Sequence, residues 1–219
     1  MSFTTAFIFD MDGVIVDSNP VHKIALKQFV GKYGKSLSEE ELVNHIYGRR
    51  NQDWLTHIFG ALPESELKAY GEEKEALYRQ LYERDIRPLE GLVEFLERVS
   101  RANLPRAIAT SAPRANVDFT LEKTGTGRFF DTILDDSFVT RGKPDPQIYL
   151  KTAEALHMPP GNCVVFEDSL AGVDAARSAG CKVIGVTTTH GREELANTDL
   201  VIDNFVDLDP KMLILKLFE

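Results

Sequence analysis

Short apolar runs alternate with helical patterns through the second half of the chain, and one further run lies near its start. Each run is largely apolar on both faces and predicts a buried strand: 6–9, 106–110, 132–136, 163–168, 182–187 and 200–203. Such strands, separated by helices, are typical of a parallel sheet that helices cover on both sides. We therefore predict an α/β core with a doubly wound, Rossmann-like parallel sheet.

An inserted segment separates the first apolar run from the second. It contains no convincing strand, and its helical patterns cover four stretches: 20–34, 38–46, 51–59 and 63–84. Pro88 and Gly91 mark the return to the sheet. We predict an α-helical cap domain over residues 17–88 and a core domain made of residues 1–16 and 89–219, with a hinge where the two linkers cross.

Composition and charge limit the partners of the chain. It has 219 residues, 43% of them hydrophobic, and its 25 basic and 34 acidic residues give a net charge of −9. This negative charge argues against nucleic acid or an anionic membrane as the main partner. No apolar run approaches the length of a bilayer, and the first residues lack the features of a secretory signal, so we predict a cytoplasmic protein. We expect a monomer, although the sequence itself does not fix the oligomeric state.

Two pairs of acidic residues directly follow predicted strands. Asp10 and Asp12 end the first strand in FDMDGVIVDS, and Glu167 and Asp168 end the fourth in VVFED. Each pair alone fits ordinary turn or helix-cap chemistry. Because the carboxyl ends of parallel strands share one edge of the sheet, we expect the four acids to lie together, where they need a compensating cation. Oxygen ligands without Cys or His favour Mg²⁺ over zinc.

Two further positions are suited to bind a phosphate beside these acids. Thr110, Ser111 and Ala112 end the second strand before Pro113. The hydroxyl of Thr110 and the amides of the next two residues can hold an anion at the start of a helix, or Thr110 and Ser111 only cap that helix. Lys143, in the stiff sequence GKPDP, offers the positive charge that a phosphoryl group needs, although a lone loop lysine is usually solvated surface.

Four motifs, in this order along the chain, resemble those of the haloacid dehalogenase superfamily. They are FDMDGVIVDS, IATSA, Lys143 in GKPDP, and VVFEDSLAGVDAARSAG. The chain is similar in particular to the branch that contains β-phosphoglucomutase and small-molecule phosphatases. The similarity covers nearly the whole chain, core and cap alike. The resemblance implies an enzyme with a helical cap that transfers phosphoryl groups.

The resemblance also implies a role for each acid. Asp10 is expected to attack phosphorus and form an aspartyl-phosphate, and Asp12 to protonate the leaving oxygen and later deprotonate water. Mg²⁺ is expected on the carboxylate of Asp10, the backbone carbonyl of Asp12 and Asp168, with Glu167 either a ligand or a hydrogen-bond acceptor behind them. The groups implied to bind the phosphoryl oxygens are Thr110, the amides of Ser111 and Ala112, and Lys143.

The cap segment 46–55 aligns with the loop that faces the active site in this family. Gly48 gives freedom at the turn. Arg49, Arg50 and Asn51 are candidates to meet a second phosphate or sugar hydroxyls, unless the two arginines point to water. Family mutases usually have an arginine where Asn51 stands, which argues against mutase activity unless Arg50 takes that role by a small shift.

Three more residues match the mutase pattern. Ser18 and His22 lie on the hinge side, where His22 is a candidate to couple cap closure to Asp12, although a lone histidine at a helix start is more often structural. Lys74 aligns with a cap lysine that contacts substrate, and it equally fits the exposed face of a charged helix.

We therefore predict a Mg²⁺-dependent phosphatase that acts on a small phosphorylated metabolite, a sugar or polyol phosphate. The acid at residue 12 supports phosphoryl transfer, since a poor alkoxide leaving group needs a proton and a halide does not. The alternative is an isomerase of the β-phosphoglucomutase type, which returns the phosphoryl group to the product. A non-catalytic binding scaffold is a third hypothesis. It predicts the loss of a catalytic group, whereas Asp10, Asp12, Lys143 and Asp168 are all present.

Overall fold

Six parallel strands form one sheet in residues 5–218, which are the residues that the computed structural model describes. In chain order they are β1 Ala6–Phe9, β2 Arg106–Ala109, β3 Thr132–Leu134, β4 Cys163–Glu167, β5 Lys182–Val186 and β6 Leu200–Ile202. Their order across the sheet is β3-β2-β1-β4-β5-β6. The direction of winding reverses beside β1, which confirms the doubly wound prediction. The carboxyl ends of β1, β2 and β4 therefore meet at the switch point.

Helices cover both faces of this sheet. The α-helices are α1 Asn19–Lys32, α2 Glu39–Glu41, α3 Asn51–Phe59, α4 Glu64–Tyr82, α5 Leu92–Arg101, α6 Arg114–Thr124, α7 Gln147–Ala155, α8 Leu170–Ser178 and α9 Pro210–Phe218. Side chains of β1 alternate between the faces. Phe7 and Phe9 join the cluster that contains α5, α6 and α9, whereas Ala6 and Ile8 join the cluster that contains α7 and α8. Within the described part of the chain, no helix has both the length and the apolar character needed to cross a membrane.

A cluster of phenylalanines lies beneath the carboxyl ends of the central strands. The ring of Phe9 in β1 stacks on that of Phe166 in β4, with 4.8 Å between centroids and 10° between planes. Phe7, Phe95 and Phe205 pack around this pair. Truncating one large aromatic side chain in such a core costs roughly 3–5 kcal/mol. The cluster therefore fixes the strand ends that carry the candidate acids.

The inserted helices have a hydrophobic core of their own. Its buried members lie between Leu26 and Leu55, and α4 adds Tyr70 at its edge. The two linkers that join the insert to the core run side by side. The backbone N–H of Leu89 in the second linker donates to the carbonyl of Ile15 beside the first, over 2.9 Å. This contact brings the two ends of the insert together beside the end of β1, where the hinge is predicted.

One cap segment differs from the continuous helix predicted over 38–46. Ser38 caps the single turn of α2, and residues Leu42–Ile46 then form a wider π-helical turn. The N–H of Tyr47 donates to the carbonyl of Leu42, five residues back. Hydrophobic spacing does not distinguish one regular turn from one wider turn over so short a stretch. The wider turn ends in extended backbone at Tyr47, which leads into the loop at Gly48.

Candidate active site

Three buried carboxylates meet where β1 and β4 end. Phe9 and Phe166 are paired in register, so the residues that follow them, Asp10 and Glu167, come side by side. Asp168 is next in the chain, and one oxygen from each of the three carboxylates lies within 4.8 Å of the others. The sheet register thus gathers acids that are more than a hundred residues apart in sequence.

Lys143 compensates part of this charge. Its Nζ donates to Oδ1 of Asp10 over 2.9 Å and to Oε1 of Glu167 over 2.5 Å, and its side chain is fully buried. Burial alone would lower the pKa of Lys143, but the two carboxylates outweigh it and raise that pKa above its ordinary value. Lys143 is therefore a permanent cation beside Asp10.

Glu167 is held by five donors, so both of its oxygens are engaged. The hydroxyl of Tyr149 donates to Oε1 over 2.7 Å, next to Lys143. The amides of Asp168 and Ser169 and the hydroxyl of Ser169 all donate to Oε2 over 3.0 Å. Burial favours the neutral acid, yet Lys143 and these donors hold the pKa of Glu167 below its ordinary value. This arrangement favours the role of an acceptor that positions Lys143 over that of a metal ligand.

The other two acids remain poorly compensated. Burial raises the pKa of Asp10 to about 7 although Lys143 opposes the shift. Burial, followed by the charges of Glu167 and Asp10, raises the pKa of Asp168 well above its ordinary value. A bound cation would lower the pKa values of both acids again. A set of carboxylate oxygens without sulfur or imidazole fits a hard ion such as Mg²⁺.

Asp168 is oriented by residues that the motifs did not identify. Asn19 Nδ2 donates to its Oδ2 over 3.0 Å, and the hydroxyl of Thr189 donates to the same oxygen. Gly13, with φ of +76°, passes so close that a Cβ there would lie 1.9 Å from this oxygen. The polar run that follows β5 at Thr187–Thr189 is a signal at another strand end that could have suggested the Thr189 contact.

Asp12 lies under a hydrogen-bonded chain from the cap. Ser18 Oγ donates to Asp12 Oδ1 over 2.6 Å, and His22 Nε2 lies 3.2 Å from the same oxygen. Lys74 Nζ lies 2.8 Å from Nδ1 of His22, and the ring of His22 stacks on Tyr78 at 3.8 Å. Since an ammonium only donates, Nδ1 accepts from Lys74 and Nε2 carries the hydrogen that His22 gives to Asp12.

These contacts set the protonation of Asp12. Burial would raise its pKa, but the interactions with His22, the hydrogen bond from Ser18 and the positive charge of Lys74 outweigh burial and hold the pKa of Asp12 below its ordinary value. The pKa values of Asp10 and Asp12, which are two residues apart, are thus shifted in opposite directions. Lys74 is buried in this chain and does not lie on an exposed helix face, so of the two interpretations of Lys74 the structure favours the site.

The end of β2 meets the cap loop. Thr110 is buried, and its Oγ1 accepts from the amide of Ala112 over 3.0 Å. Ser111 Oγ donates to the carbonyl of Gly48 over 2.8 Å. Gly48 has φ of +74°, and a Cβ there would lie 2.4 Å from Oγ of Ser169. Gly48 is therefore needed both for its backbone conformation and for this close approach.

The two cap arginines occupy different places. Arg49 lines the site, and its Nε is buried without a hydrogen-bond partner among the described residues. Arg50 instead forms a bidentate ion pair with Asp53 at 3.0 Å and donates to the carbonyl of Val139. Asn51 accepts from Trp54 Nε1 over 2.9 Å.

Most of the predicted site residues surround one cavity of about 50 Å³ between core and cap. Those that line it are Asp10, Asp12, His22, Gly48, Arg49, Asn51, Lys74, Thr110, Ser111, Ala112 and Asp168. Four others do not belong to this lining: Ser18, Arg50, Lys143 and Glu167. Of these four, all except Arg50 contact a lining acid or lie within its cluster.

A family model for haloacid dehalogenase-like hydrolases matches residues 4–180. The chain belongs to this family. A phosphorylated carbohydrates phosphatase of Thermotoga maritima is 36% identical over 184 residues, which are 82% of this chain and 83% of that protein. Hexitol phosphatase A of Escherichia coli is 33% identical over 198 residues, which are 90% of this chain and 89% of that one. As a member of the haloacid dehalogenase-like hydrolases, the chain is an enzyme, and the resemblance of its four motifs is confirmed.

One solved structure shares nearly the whole fold of this chain. A crystal structure of β-phosphoglucomutase from Clostridium difficile matches with a TM-score of 0.83 and 31% identity, and the match covers 97% of this chain and 96% of that chain. Since nearly the whole of both chains superimposes, the sheet and the inserted helices are both shared with this haloacid dehalogenase-like structure.

Proposed function

We propose that the protein is a Mg²⁺-dependent phosphatase that hydrolyses a small phosphorylated metabolite through an aspartyl-phosphate. The observation that carries this proposal is that two neighbouring acids in one cavity, Asp10 and Asp12, have different surroundings. Asp10 is buried between Lys143 and Asp168, and Asp12 is held by Ser18 and His22. Such a pair suits one nucleophile and one proton carrier.

In the first half of the reaction, a carboxylate oxygen of Asp10 attacks phosphorus and the bond to the leaving oxygen breaks. Asp12, once protonated, gives its proton to that oxygen, so that an alcohol departs and an aspartyl-phosphate remains on Asp10. Lys143 holds Oδ1 of Asp10, which leaves Oδ2 for attack. Thr110 and the amide of Ser111 are placed to bind phosphoryl oxygens.

In the second half, Asp12 takes a proton from a water molecule. The resulting hydroxide attacks phosphorus, the bond to Asp10 breaks and inorganic phosphate forms. The depressed pKa of Asp12 favours its ionised form, which is the form this step requires. Contacts from His22 and Ser18 keep its Oδ1 in place while the proton moves.

The residues that would hold Mg²⁺ are Asp10, the backbone carbonyl of Asp12, and Asp168. When bound, the ion neutralises the charge of an anionic nucleophile that meets an anionic substrate. Asn19 and Thr189 both bond Oδ2 of Asp168 and so orient its carboxylate toward the shared position. Glu167 supports the site through Lys143.

The cavity supports a sugar or polyol phosphate as substrate. Its lining is mainly polar, and the buried Nε of Arg49 needs an acceptor that a hydroxyl or phosphate of the substrate can supply. Two similar proteins bear the names phosphorylated carbohydrates phosphatase and hexitol phosphatase A. At about 50 Å³ the cavity is small for a sugar phosphate, so we expect the cap to move away from the core when the substrate enters.

The test is a panel of phosphorylated sugars, polyols, nucleotides and glycolate, incubated with purified protein and Mg²⁺ and assayed for free phosphate. We expect release from sugar or polyol phosphates. Asp10→Asn should abolish turnover, and Asp12→Asn should reduce it by about 100-fold or more while the circular dichroism spectrum is unchanged. Full activity of Asp10→Asn would contradict the mechanism.

A β-phosphoglucomutase-type isomerase is the second candidate, because the solved structure of such an enzyme matches 97% of this chain. Incubation with β-glucose 1-phosphate and a bisphosphate activator separates the two. Glucose 6-phosphate as product would establish the mutase, and free phosphate would establish the phosphatase. We expect free phosphate, since Asn51 stands where family mutases carry an arginine.

A further inference from the structure

A buried polar chain continues beyond Lys74 and crosses from the cap to the core. Lys74 Nζ donates to Oε1 of Glu75 over 2.9 Å, and Oε2 of Glu75 accepts from Nδ2 of Asn116 over 2.7 Å. Asn116 Oδ1 in turn accepts from Nη1 of Arg79 over 2.7 Å. Glu75 and Arg79 lie in α4 of the cap and Asn116 lies in α6 of the core, where it is fully buried.

The neighbours of Asn116 dictate how its amide is oriented. Arg79 only donates hydrogen bonds and an ionised Glu75 only accepts them, so the carbonyl must face Arg79 and the NH₂ must face Glu75. Burial favours neutral Glu75, yet Lys74 and the hydrogen bonds hold its pKa below its ordinary value. An asparagine therefore matches both partners at once.

The same residues stand between two cavities. Asn116 lines the catalytic cavity of about 50 Å³. Arg79 lines a cleft of about 650 Å³ between α4 and the first residues of α6. Glu75 lines both. Any separation of α4 from α6 that joins the cavities must therefore break the contact between Glu75 and Asn116.

We propose that Glu75 and Asn116 form a latch, a pair of positioning residues that holds the cap closed over Asp12 and keeps Lys74 against His22. This inference rests on the proposed function for its catalytic consequence. The latch is closed when the two side chains bond each other and open when water hydrates the Glu75 carboxylate. Since an unpaired buried carboxylate is unfavourable, the closed cap and the bonded pair stabilise one another.

A charge exchange tests the pair. Asn116→Asp puts a second carboxylate against Glu75, and Glu75→Gln leaves two NH₂ groups facing each other unless Asn116 turns a donor toward Arg79. The double variant Glu75→Gln/Asn116→Asp restores a donor on one side and an acceptor on the other. It also keeps the net charge of the cluster, with Arg79 still paired.

The catalytic readout is hydrolysis of p-nitrophenyl phosphate with Mg²⁺. We expect Asn116→Asp to lose about 10-fold or more in kcat with a smaller change in KM, because the chemistry requires the closed cap. The double variant should recover to within about 3-fold of the wild type, which would show coupling between the two positions. A purely local loss of stability would not be rescued in this way.

A structural readout is independent of activity. Trp54 is the single tryptophan of the chain, is buried, and lines the catalytic cavity. Opening of the cap exposes it to water, so Asn116→Asp should shift its emission to longer wavelength and the double variant should shift it back. If the wild type hydrolyses no phosphate ester, the proposed function fails, and this emission series still tests the latch.

Glu83→Gln is the matched control. Lys123 in α6 donates to Glu83, just after α4, over 2.9 Å, and both side chains are exposed. This variant removes one carboxylate from the same pair of elements, and we expect kcat and Trp54 emission to stay unchanged. The latch is overturned if Glu83→Gln matches Asn116→Asp, or if the double variant is as impaired as Asn116→Asp in both kcat and emission.

Discussion

At the scale of the residue, the site depends on giving Asp10 and Asp12 different surroundings. Asp10 is enclosed by Lys143 and other acids, whereas Asp12 receives hydrogen bonds from Ser18 and His22. The sequence identifies both acids because they follow a short apolar strand. It does not reveal which one is ionised, since the partners come from distant parts of the chain.

Asp10→Asn should stabilise the metal-free protein at high pH. A carboxyl whose pKa is raised on folding binds its proton more tightly in the folded state, so the stability that this gives is lost as the pH rises from about 4 to about 7. Asparagine stays neutral and avoids the loss. We expect its Tm to exceed that of the wild type near pH 8, by about 2–4 °C per kcal/mol recovered.

Thermal melts in the presence of a chelator measure this effect. Near pH 4 the wild-type Asp10 is protonated and resembles asparagine, so the two Tm values should coincide at about that pH. A gap of the same size at both pH values would show that the carboxylate charge is not its cause.

At the scale of the element, the predicted strands match the observed ones within two residues at each end. Buried parallel strands give continuous apolar runs, which the sequence shows plainly. The segment at 38–46 was predicted less well, because a capped turn followed by a π-helical turn has no distinct hydrophobic period. Asn19 was missed because its contact with Asp168 spans 149 residues of the chain, and Thr189 was missed although the polar run after β5 was a signal for it.

Gly48→Ala should prevent the cap loop from closing. The new Cβ would lie 2.4 Å from Oγ of Ser169, which caps α8 and bonds Glu167 and cannot easily move. We expect kcat/KM for p-nitrophenyl phosphate to fall by about 10-fold or more, with little change in Tm. Steady-state kinetics with Mg²⁺ measure this loss.

Gly34→Ala is the control for backbone strain. Gly34 also has a positive φ, of +69°, but a Cβ there would meet nothing within 4 Å. Its kcat/KM should remain close to that of the wild type. If both alanine variants lose activity equally, the contact with Ser169 does not matter for closure.

At the scale of the whole molecule, cap and core meet through side chains that line or flank the catalytic cavity. Ser111 bonds Gly48, and Asn19 bonds Asp168. The sequence predicts the sheet, and most of the predicted site residues line the cavity between core and cap. It did not predict the contact of Glu75 with Asn116, because the docking of α4 on α6 depends on how the hinge orients the whole cap.

Mg²⁺ should stabilise the protein more at high pH than at low pH. Burial raises the pKa of both Asp10 and Asp168, so protons compete with the ion at low pH, and for Asp10 this competition fades as the pH passes about 7. At about 100 times its Kd the ion adds about 2.7 kcal/mol of stability. We expect the Mg²⁺-induced rise in Tm to be a few degrees larger near pH 8 than near pH 5.5, since each kcal/mol of added stability raises Tm by about 2–4 °C.

Calorimetry with and without Mg²⁺ at both pH values measures this rise. Asp168→Asn should lose it, because the amide cannot replace the carboxylate charge that the ion needs. An undiminished rise in Asp168→Asn would place the ion elsewhere.

Because the linkers at Ile15 and Leu89 are adjacent, the chain leaves the core and returns to it at one place. Lys143, Glu167 and Asp168 all belong to the core and not to the insert. Exchange of the insert for another set of helices would therefore leave the strand order in place, but it would remove Asn19 from Asp168 and both Ser18 and His22 from Asp12. The insert thus supplies part of the environment of the catalytic acids as well as the walls that select the substrate.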